Sequence, residues 1–233
     1  MAAYRFAKKY DIETIPLAVA MTVNYKNMSQ ARRITYASDA KAGFLSNMAH
    51  LKILCDGEYA PYHRVSVLPH LDHADPARDF WALTEGVSYL SSVMLDMQAY
   101  SLEDNIYSTK EYVKSYGQKV LIEGVMEELA VEGVRESHRN DDYVEKAVKY
   151  CRSTGVDFLV ADLGTEQQSS DIGNCRYLSQ RAIDLTKGLG KPMLVLHGTS
   201  CLTNEQMQSI ADDGIVSKGI WRVCGNKANG ENR

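Results

Sequence analysis

The chain contains no CxxC pair, and its five cysteines, Cys55, Cys151, Cys175, Cys201 and Cys224, are odd in number and widely spread. That usage reads as reduced thiols in a cytosolic protein rather than a disulfide framework. No apolar run approaches the roughly 18–20 residues that cross a bilayer. The opening MAAYRFAKKYDIE has no apolar signal-peptide core and carries acids early, which argues against secretion. Positive charge is not in excess either: 26 Lys+Arg stand against 30 Asp+Glu, a net charge of -4. Bulk charge therefore gives no support to a general nucleic-acid-binding surface. No low-complexity stretch, linker or composition break divides the 233 residues, so the sequence reads as one domain over 1–233. The polar, Gly/Asn-rich end at 227–233 reads as a frayed tail.

What is present is alternation. Apolar strand candidates are IPLAVAM (15–21), RVSVLPHL (64–71), YLSSVML (89–95), KVLIEG (119–124), DFLVADLG (157–164), PMLVLHG (192–198) and IVSKGIW (215–221). A helical pattern or a long connection separates each from the next. Asp75 followed by Pro76 predicts the start of a helix through DPARDFWALTEG. Ser101 and Asp104 form a capping-box pattern, with Gly117 ending that helix. Near-continuous apolar strands alternating with helices predict a parallel sheet covered by helices. An open doubly wound sheet is the alternative, but the Gly-rich turn usual after its first strand is missing.

Seven strands fall one short of a closed barrel. The chain begins in a helix and stops after a strand. The fold expected is therefore α/β, a TIM (β/α)8-type barrel pattern lacking the first strand and the last helix. Such a gap predicts open sheet edges near IPLAVAM and IVSKGIW, and with them self-association. Long connections at 22–37 and 125–140 are candidates for lids or ligand-binding segments. The second carries Glu127, Glu128, Glu132 and Glu136 and is expected either to cover the mouth when a ligand binds or to form a solvated acidic helix.

Polar residues gather where the strands end. HLDH (70–73) closes one strand, Asp96 the next, Glu123 the one after, and GTEQQ (164–168) another; His197-Gly198-Thr199-Ser200 follows PMLVL. In a parallel barrel these ends face one mouth. Two histidines and several carboxylates there suit a divalent metal, with Zn²⁺ first. Asp72 is expected to point away from His73 by strand alternation, unless a local turn swings both inward. In the mouth it would act as proton donor beside a metal-polarised carbonyl. The HGTS turn before a helix near Thr203 would offer N–H groups and a hydroxyl to an anion, with Lys191 and Arg222 as nearby cations.

These strand-end residues resemble the class II, metal-dependent fructose-bisphosphate and tagatose-bisphosphate aldolase family. The stretch VLPHLDHADPARDFWALTEGVSYLSSVMLDMQAYSLEDNIYSTKEYV is similar to the family's run from its HLDH motif to its SxxENI helix. VDFLVADLGTEQQ is similar to the segment ending in GT-x-H-G, and PMLVLHGTSCLTNEQMQSIADDGIVSKGIW to the LVLHGGSG segment. The resemblance implies an eight-stranded barrel and reversible aldol cleavage of a phosphorylated or polyhydroxylated carbonyl substrate through a metal-stabilised enediolate. It implies that Asp72 is the catalytic acid/base, that His73 and His197 bind Zn²⁺, and that Asp96 and Glu123 are carboxylates of the metal region. Gly198, Thr199 and Ser200 fall on the substrate-phosphate segment.

Several positions depart from the family. Gln167 stands where GT-x-H-G has its ligand histidine, and Gln168 replaces the next glycine. Val125 falls on the glutamate of E-x-G, HGGSG has become HGTSC with Cys201 last, and Gly219, Trp221 and Arg222 occupy late phosphate-holding positions. An amide is a poorer zinc donor than imidazole, so the zinc site is expected to be weak or lost. The alternatives are a catalytically impaired homologue serving as a binding or assembly subunit, and a barrel repurposed to another lyase or isomerase reaction. The remaining expectations are a sugar-phosphate-like small molecule as partner, no nucleic acid or membrane, a homo-oligomer and a cytoplasmic location.

Overall fold

A computed structural model describes residues 1–25, 30–35, 38–126, 142–165, 177–199 and 202–218. Gln167, Ser200, the connection from 127 to 140, positions 219–222 and the tail 227–233 lie outside those residues. The elements run α1 (Ala2–Lys9), β1 (Ile15–Met21), α2 (Gln30–Arg33), α3 (Ala40–Cys55), β2 (Val65–Ala74), α4 (Phe80–Thr84), a 3-10 turn (Gly86–Tyr89) and β3 (Ser92–Leu95). They continue through α5 (Leu102–Tyr116), β4 (Leu121–Val125), α6 (Tyr143–Thr154), β5 (Phe158–Val160), α7 (Ser179–Leu189), β6 (Leu194–Leu196), α8 (Asn204–Ser209) and β7 (Ile215–Lys218). All seven expected strands are present, and they lie in sequential order in one sheet. No helix among the described residues is long and apolar enough to cross a membrane.

The chain divides into two compact units, Met1–Asp96 with Tyr116–Ile122, and Met97–Ser115 with Glu123–Arg233. In the first unit β1 pairs in parallel with β2, Ile15 opposite Val65 through Met21 opposite Leu71. Ile15 N–H donates to the Arg64 carbonyl, so odd-numbered residues of β1 bond to β2 and even-numbered ones face the other way. Pro16, which has no N–H, falls on that outward side, where an edge strand tolerates it. At the far end Thr22 N–H donates to Gln30 Oε1 (3.1 Å) and the Thr22 carbonyl accepts from Ala31 N–H (3.0 Å). Among the described residues the open stretch of edge is thus short, centred on Ala18 and Ala20. Leu17 and Leu68 are each 40% exposed beside it.

Asp39 caps α3 by accepting from Ala42 N–H (3.0 Å). Gly43 lets α2 lie directly on α3, because a Cβ there would run into the Ala31 carbonyl. The helix expected to start at Asp75–Pro76 instead begins at Phe80. Asp75 Oδ1 accepts from Ala77 N–H and Arg78 N–H, which closes a turn rather than a helix. Asp79 then occupies the N-cap position without capping.

In the second unit β4 pairs with β5, β5 with β6 and β6 with β7, all parallel. The α5 cap at Ser101 forms as expected, Asp104 N–H donating to Ser101 Oγ (3.2 Å). On the same helix Asn105 is fully buried; its Nδ2 donates to the Val125 and Met126 carbonyls (2.8 and 3.2 Å) and so ties down the end of β4. Thr109 Oγ1 donates to Asn105 Oδ1 (2.9 Å) and Tyr150 OH closes the cluster. Tyr150 packs so closely on Gly124 that a Cβ there would lie 2.5 Å from its hydroxyl. The strand expected over 157–164 is only three residues long, because Asp162 N–H donates to Tyr143 OH (2.8 Å) and Asp162 Oδ1 accepts from Gly164 N–H (2.9 Å).

Candidate functional site

In the first unit the site grows from an irregularity in β2. Leu71 lies opposite Val93, but Ala74 rather than His73 lies opposite Leu95. One extra residue sits in β2, and His73 takes it up with φ +49°. A positive φ is uncommon for a residue with a Cβ, and a bulge is the device that re-aims a side chain. Alternation would send Asp72 and His73 to opposite faces. The bulge instead leaves both buried, at 3% and 6% exposure, with Asp72 Oδ1 4.0 Å from His73 Nε2. This is the local turn that an acid beside a ligand histidine requires.

Asp96 and Tyr25 hold the His73 ring, and Asp72 lies beside it. Asp96, at the end of β3, places Oδ2 2.8 Å from His73 Nδ1. A carboxylate accepts, so the proton is assigned to Nδ1 and Nε2 carries the ring's lone pair. Tyr25 stacks on the imidazole, ring centroids 4.3 Å apart and planes inclined by 11°. Asp72 Oδ1 is buried without a hydrogen-bond donor. A buried carboxylate oxygen lacking a donor, beside an imidazole whose other nitrogen is fixed by a carboxylate, fits a cation: zinc-binding histidines commonly carry such a carboxylate partner. His70, from the same HLDH segment, is engaged differently, with Nδ1 2.8 Å from Ser92 Oγ.

In the second unit Glu123 is buried on β4. His197 follows β6 directly, and its carbonyl accepts from Thr165 Oγ1 (2.6 Å). Gly198 has φ +70° and Thr199 is buried. The segment 198–200 expected to receive an anion precedes α8. Thr203 caps that helix itself, accepting from Gln206 N–H while Gln206 Oε1 accepts from Thr203 N–H. Lys191 is exposed.

Sequence reasoning missed four residues here. Asp162 is a buried carboxylate 3.7 Å from the Arg181 guanidinium, which also lies 4.6 Å from the Tyr143 ring. Its signal was an acid inside the apolar run DFLVADLG. Asp79 was legible only as an acid in an expected helix. Asn24 and Tyr25 gave no local signal at all. Burial pushes the Asp79 carboxyl above the ordinary range, against the opposing pull of the N–H groups that it accepts from.

The family model described as "Fructose-bisphosphate aldolase class-II" matches residues 18–220. The fructose-bisphosphate aldolase of Giardia intestinalis is 29% identical over 171 residues, covering 69% of this chain and 50% of that protein. The fructose-bisphosphate aldolase of Helicobacter pylori is 25% identical over 177 residues, covering 72% and 55%. The chain thus spans about half the length of these two relatives. The crystal structure of fructose-bisphosphate aldolase from Campylobacter jejuni superposes with a TM-score of 0.66 at 20% identity, over 94% of this chain and 67% of that one. The fold is therefore of the TIM (β/α)8-barrel type, here with seven parallel strands.

Proposed function

Because the chain belongs to the class II fructose-bisphosphate aldolase family, we propose that it is an aldolase-type lyase acting on a phosphorylated or polyhydroxylated carbonyl substrate. The observation that carries this reading is the β2 bulge, which brings the buried Asp72 carboxylate to the imidazole of His73. His73, oriented by Asp96, and His197, at the carboxyl end of β6, would hold Zn²⁺, with Glu123 in the same metal region and Gln167 at the third-ligand position. When bound, the ion supplies Lewis-acid polarisation of a carbonyl. Asp72 is the proton-transfer group. In cleavage it takes the proton of the hydroxyl β to the carbonyl as the carbon–carbon bond breaks. The bonding electrons pass to the enediolate of the ketose half, and the hydroxyl carbon leaves as the aldehyde. In condensation the same proton returns. Gly198, Thr199 and Ser200 are proposed to receive the substrate phosphate.

The whole chain is proposed to work as a single cytoplasmic barrel domain that self-associates through the short open edge of β1, where Leu17 and Leu68 are exposed. Sedimentation velocity at micromolar concentration checks the self-association, and a clean monomer removes it.

A second reading is a catalytically impaired homologue kept as a binding or assembly subunit. Gln167, in place of the family's ligand histidine, favours it. One experiment separates the two: zinc titration together with an assay of cleavage of fructose 1,6-bisphosphate and tagatose 1,6-bisphosphate, on the wild type and Asp72→Asn. The lyase reading expects zinc binding in both proteins and cleavage by the wild type that the substitution reduces roughly 10²–10⁴-fold. A wild type that neither binds zinc nor cleaves either sugar supports the second reading.

A further inference from the structure

Asp79 breaks a local rule. It occupies the N-cap of α4, where an aspartate ordinarily accepts from the N–H groups of the first helical turn, yet it makes no capping bond. It is 3% exposed, so its carboxylate sits in a costly place for a group not used by its own helix. Its oxygens go elsewhere. Oδ1 accepts from Asn24 N–H (3.1 Å) and Asn24 Nδ2 (2.9 Å), and Oδ2 accepts from Asp75 N–H (3.1 Å). Asn24 Nδ2 also donates to the Arg78 carbonyl (3.0 Å).

The two segments that meet on this carboxylate are the two that carry the ring pair of the candidate site. Asn24 precedes Tyr25, and Asp75 lies two residues after His73. The segment before Asn24 is tied as well, through the pairing of Thr22 with Gln30 and Ala31. The residues from Thr22 to Asn24 therefore form a strap fixed at both ends, and Tyr25 is carried onto the His73 ring at its margin. A stacked ring fixes the plane of an imidazole, whereas the Asp96 bond at Nδ1 fixes its direction. Both constraints are needed to aim Nε2.

We propose that Asp79 is a positioning residue for His73: its buried carboxylate joins the Tyr25 strap to the turn after β2, and Tyr25 then holds the imidazole plane so that Nε2 faces Asp72. The inference rests on the reading of His73 as a metal ligand and deepens it by two residues, neither of which touches the reacting atoms.

The test reads ring geometry and metal affinity separately. In the metal-free full-length protein, the His73 ring-proton resonances, assigned by their loss in His73→Gln, are expected upfield because of the Tyr25 ring current. Tyr25→Phe keeps that shift. Tyr25→Leu and Asp79→Asn lose it. In zinc competition titrations Tyr25→Leu and Asp79→Asn bind about tenfold more weakly, the scale of other outer-shell losses, Tyr25→Phe stays within about twofold, and the double variant is no worse than Tyr25→Leu alone. A purely structural Asp79 would lower the melting temperature of Asp79→Asn while leaving the His73 resonances and zinc affinity at wild-type values, and that result overturns the proposal. Should Asp79→Asn fail to fold, Asn24→Ala removes the side-chain half of the clamp and is judged by the same two readouts. A wild type that binds no zinc defeats the metal reading, while the ring-current comparison still decides whether Asp79 positions His73.

Discussion

Asp96 Oδ2 lies 2.8 Å from His73 Nδ1, so the aspartate that ends β3 orients the histidine that β2 delivers. Resemblance places Asp96 in the metal region as a carboxylate. The geometry observed is that of a partner to the ligand, one bond removed from where a cation would sit. Asp96→Ala is therefore expected to weaken zinc binding by about 10–100-fold, with Asp72 and the fold intact. Competition against a chromophoric chelator measures it. Unchanged affinity would separate Asp96 from the metal chemistry altogether.

Gln167→His is expected to raise zinc affinity. Two imidazoles and an amide lack one strong donor relative to a three-histidine site with an open position for a carbonyl oxygen. Calorimetric titration of both proteins decides it. Equal affinities would mean that the site has been rebuilt for another purpose, and the lyase reading would lose its metal.

Cys151 is buried on α6, and burial pushes its thiol from the ordinary 9.0 up to about 12, with Lys191 pulling weakly the other way. The sign follows from which state holds the proton more tightly. Below about pH 9 both states are protonated and the thiol contributes no slope. Between about 9 and 12 the unfolded chain ionises first, so stability falls as pH rises, by up to about 1.4 kcal/mol per pH unit. Cys151→Ala should flatten that alkaline decline in denaturant titrations at about pH 8.5 and 10. The wild-type thiol should also react with iodoacetamide near neutral pH far more slowly than free cysteine. Rapid labelling of Cys151 in the folded protein would contradict its burial.

Gly43→Ala is expected to destabilise the first unit by about 1–3 kcal/mol, as overpacking does. The obstructing atom is the Ala31 backbone carbonyl, which cannot swing aside like a side chain. Chemical denaturation gives the number, and a neutral result would mean that α2 does not lie against α3 in solution.

The strands were legible as apolar runs: IPLAVAM became β1 without shift, although only Met21 of it is buried, four of the other runs contain the strand that forms, and β2 and β4 extend past theirs to Ala74 and Val125. The start of α5 followed from its cap signal, and Ser101 caps it as its spacing requires. The ends of elements were less legible, because groups distant in sequence set them. Tyr143 OH takes the N–H of Asp162 and so stops β5 early. Asp79, an N-cap by position, turns to Asn24 instead.

The candidate site divides along the same line. Residue identities at strand ends sufficed to nominate Asp72, His73 and Asp96, since a parallel sheet sends its carboxyl ends to one side. Whether Asp72 and His73 share a face depended on the match between β2 and β3, and a one-residue bulge is a property of two strands, not of either alone. The stack of Tyr25 on His73 joins residues 48 positions apart, and no local pattern encodes it. Sequence by itself determined the order of elements and the chemical groups available, because propensity, capping and apolar periodicity act over a few residues. Only the tertiary structure decided which of those groups are aimed at one another, because pairing register and the satisfaction of buried polar atoms act between segments far apart in the chain.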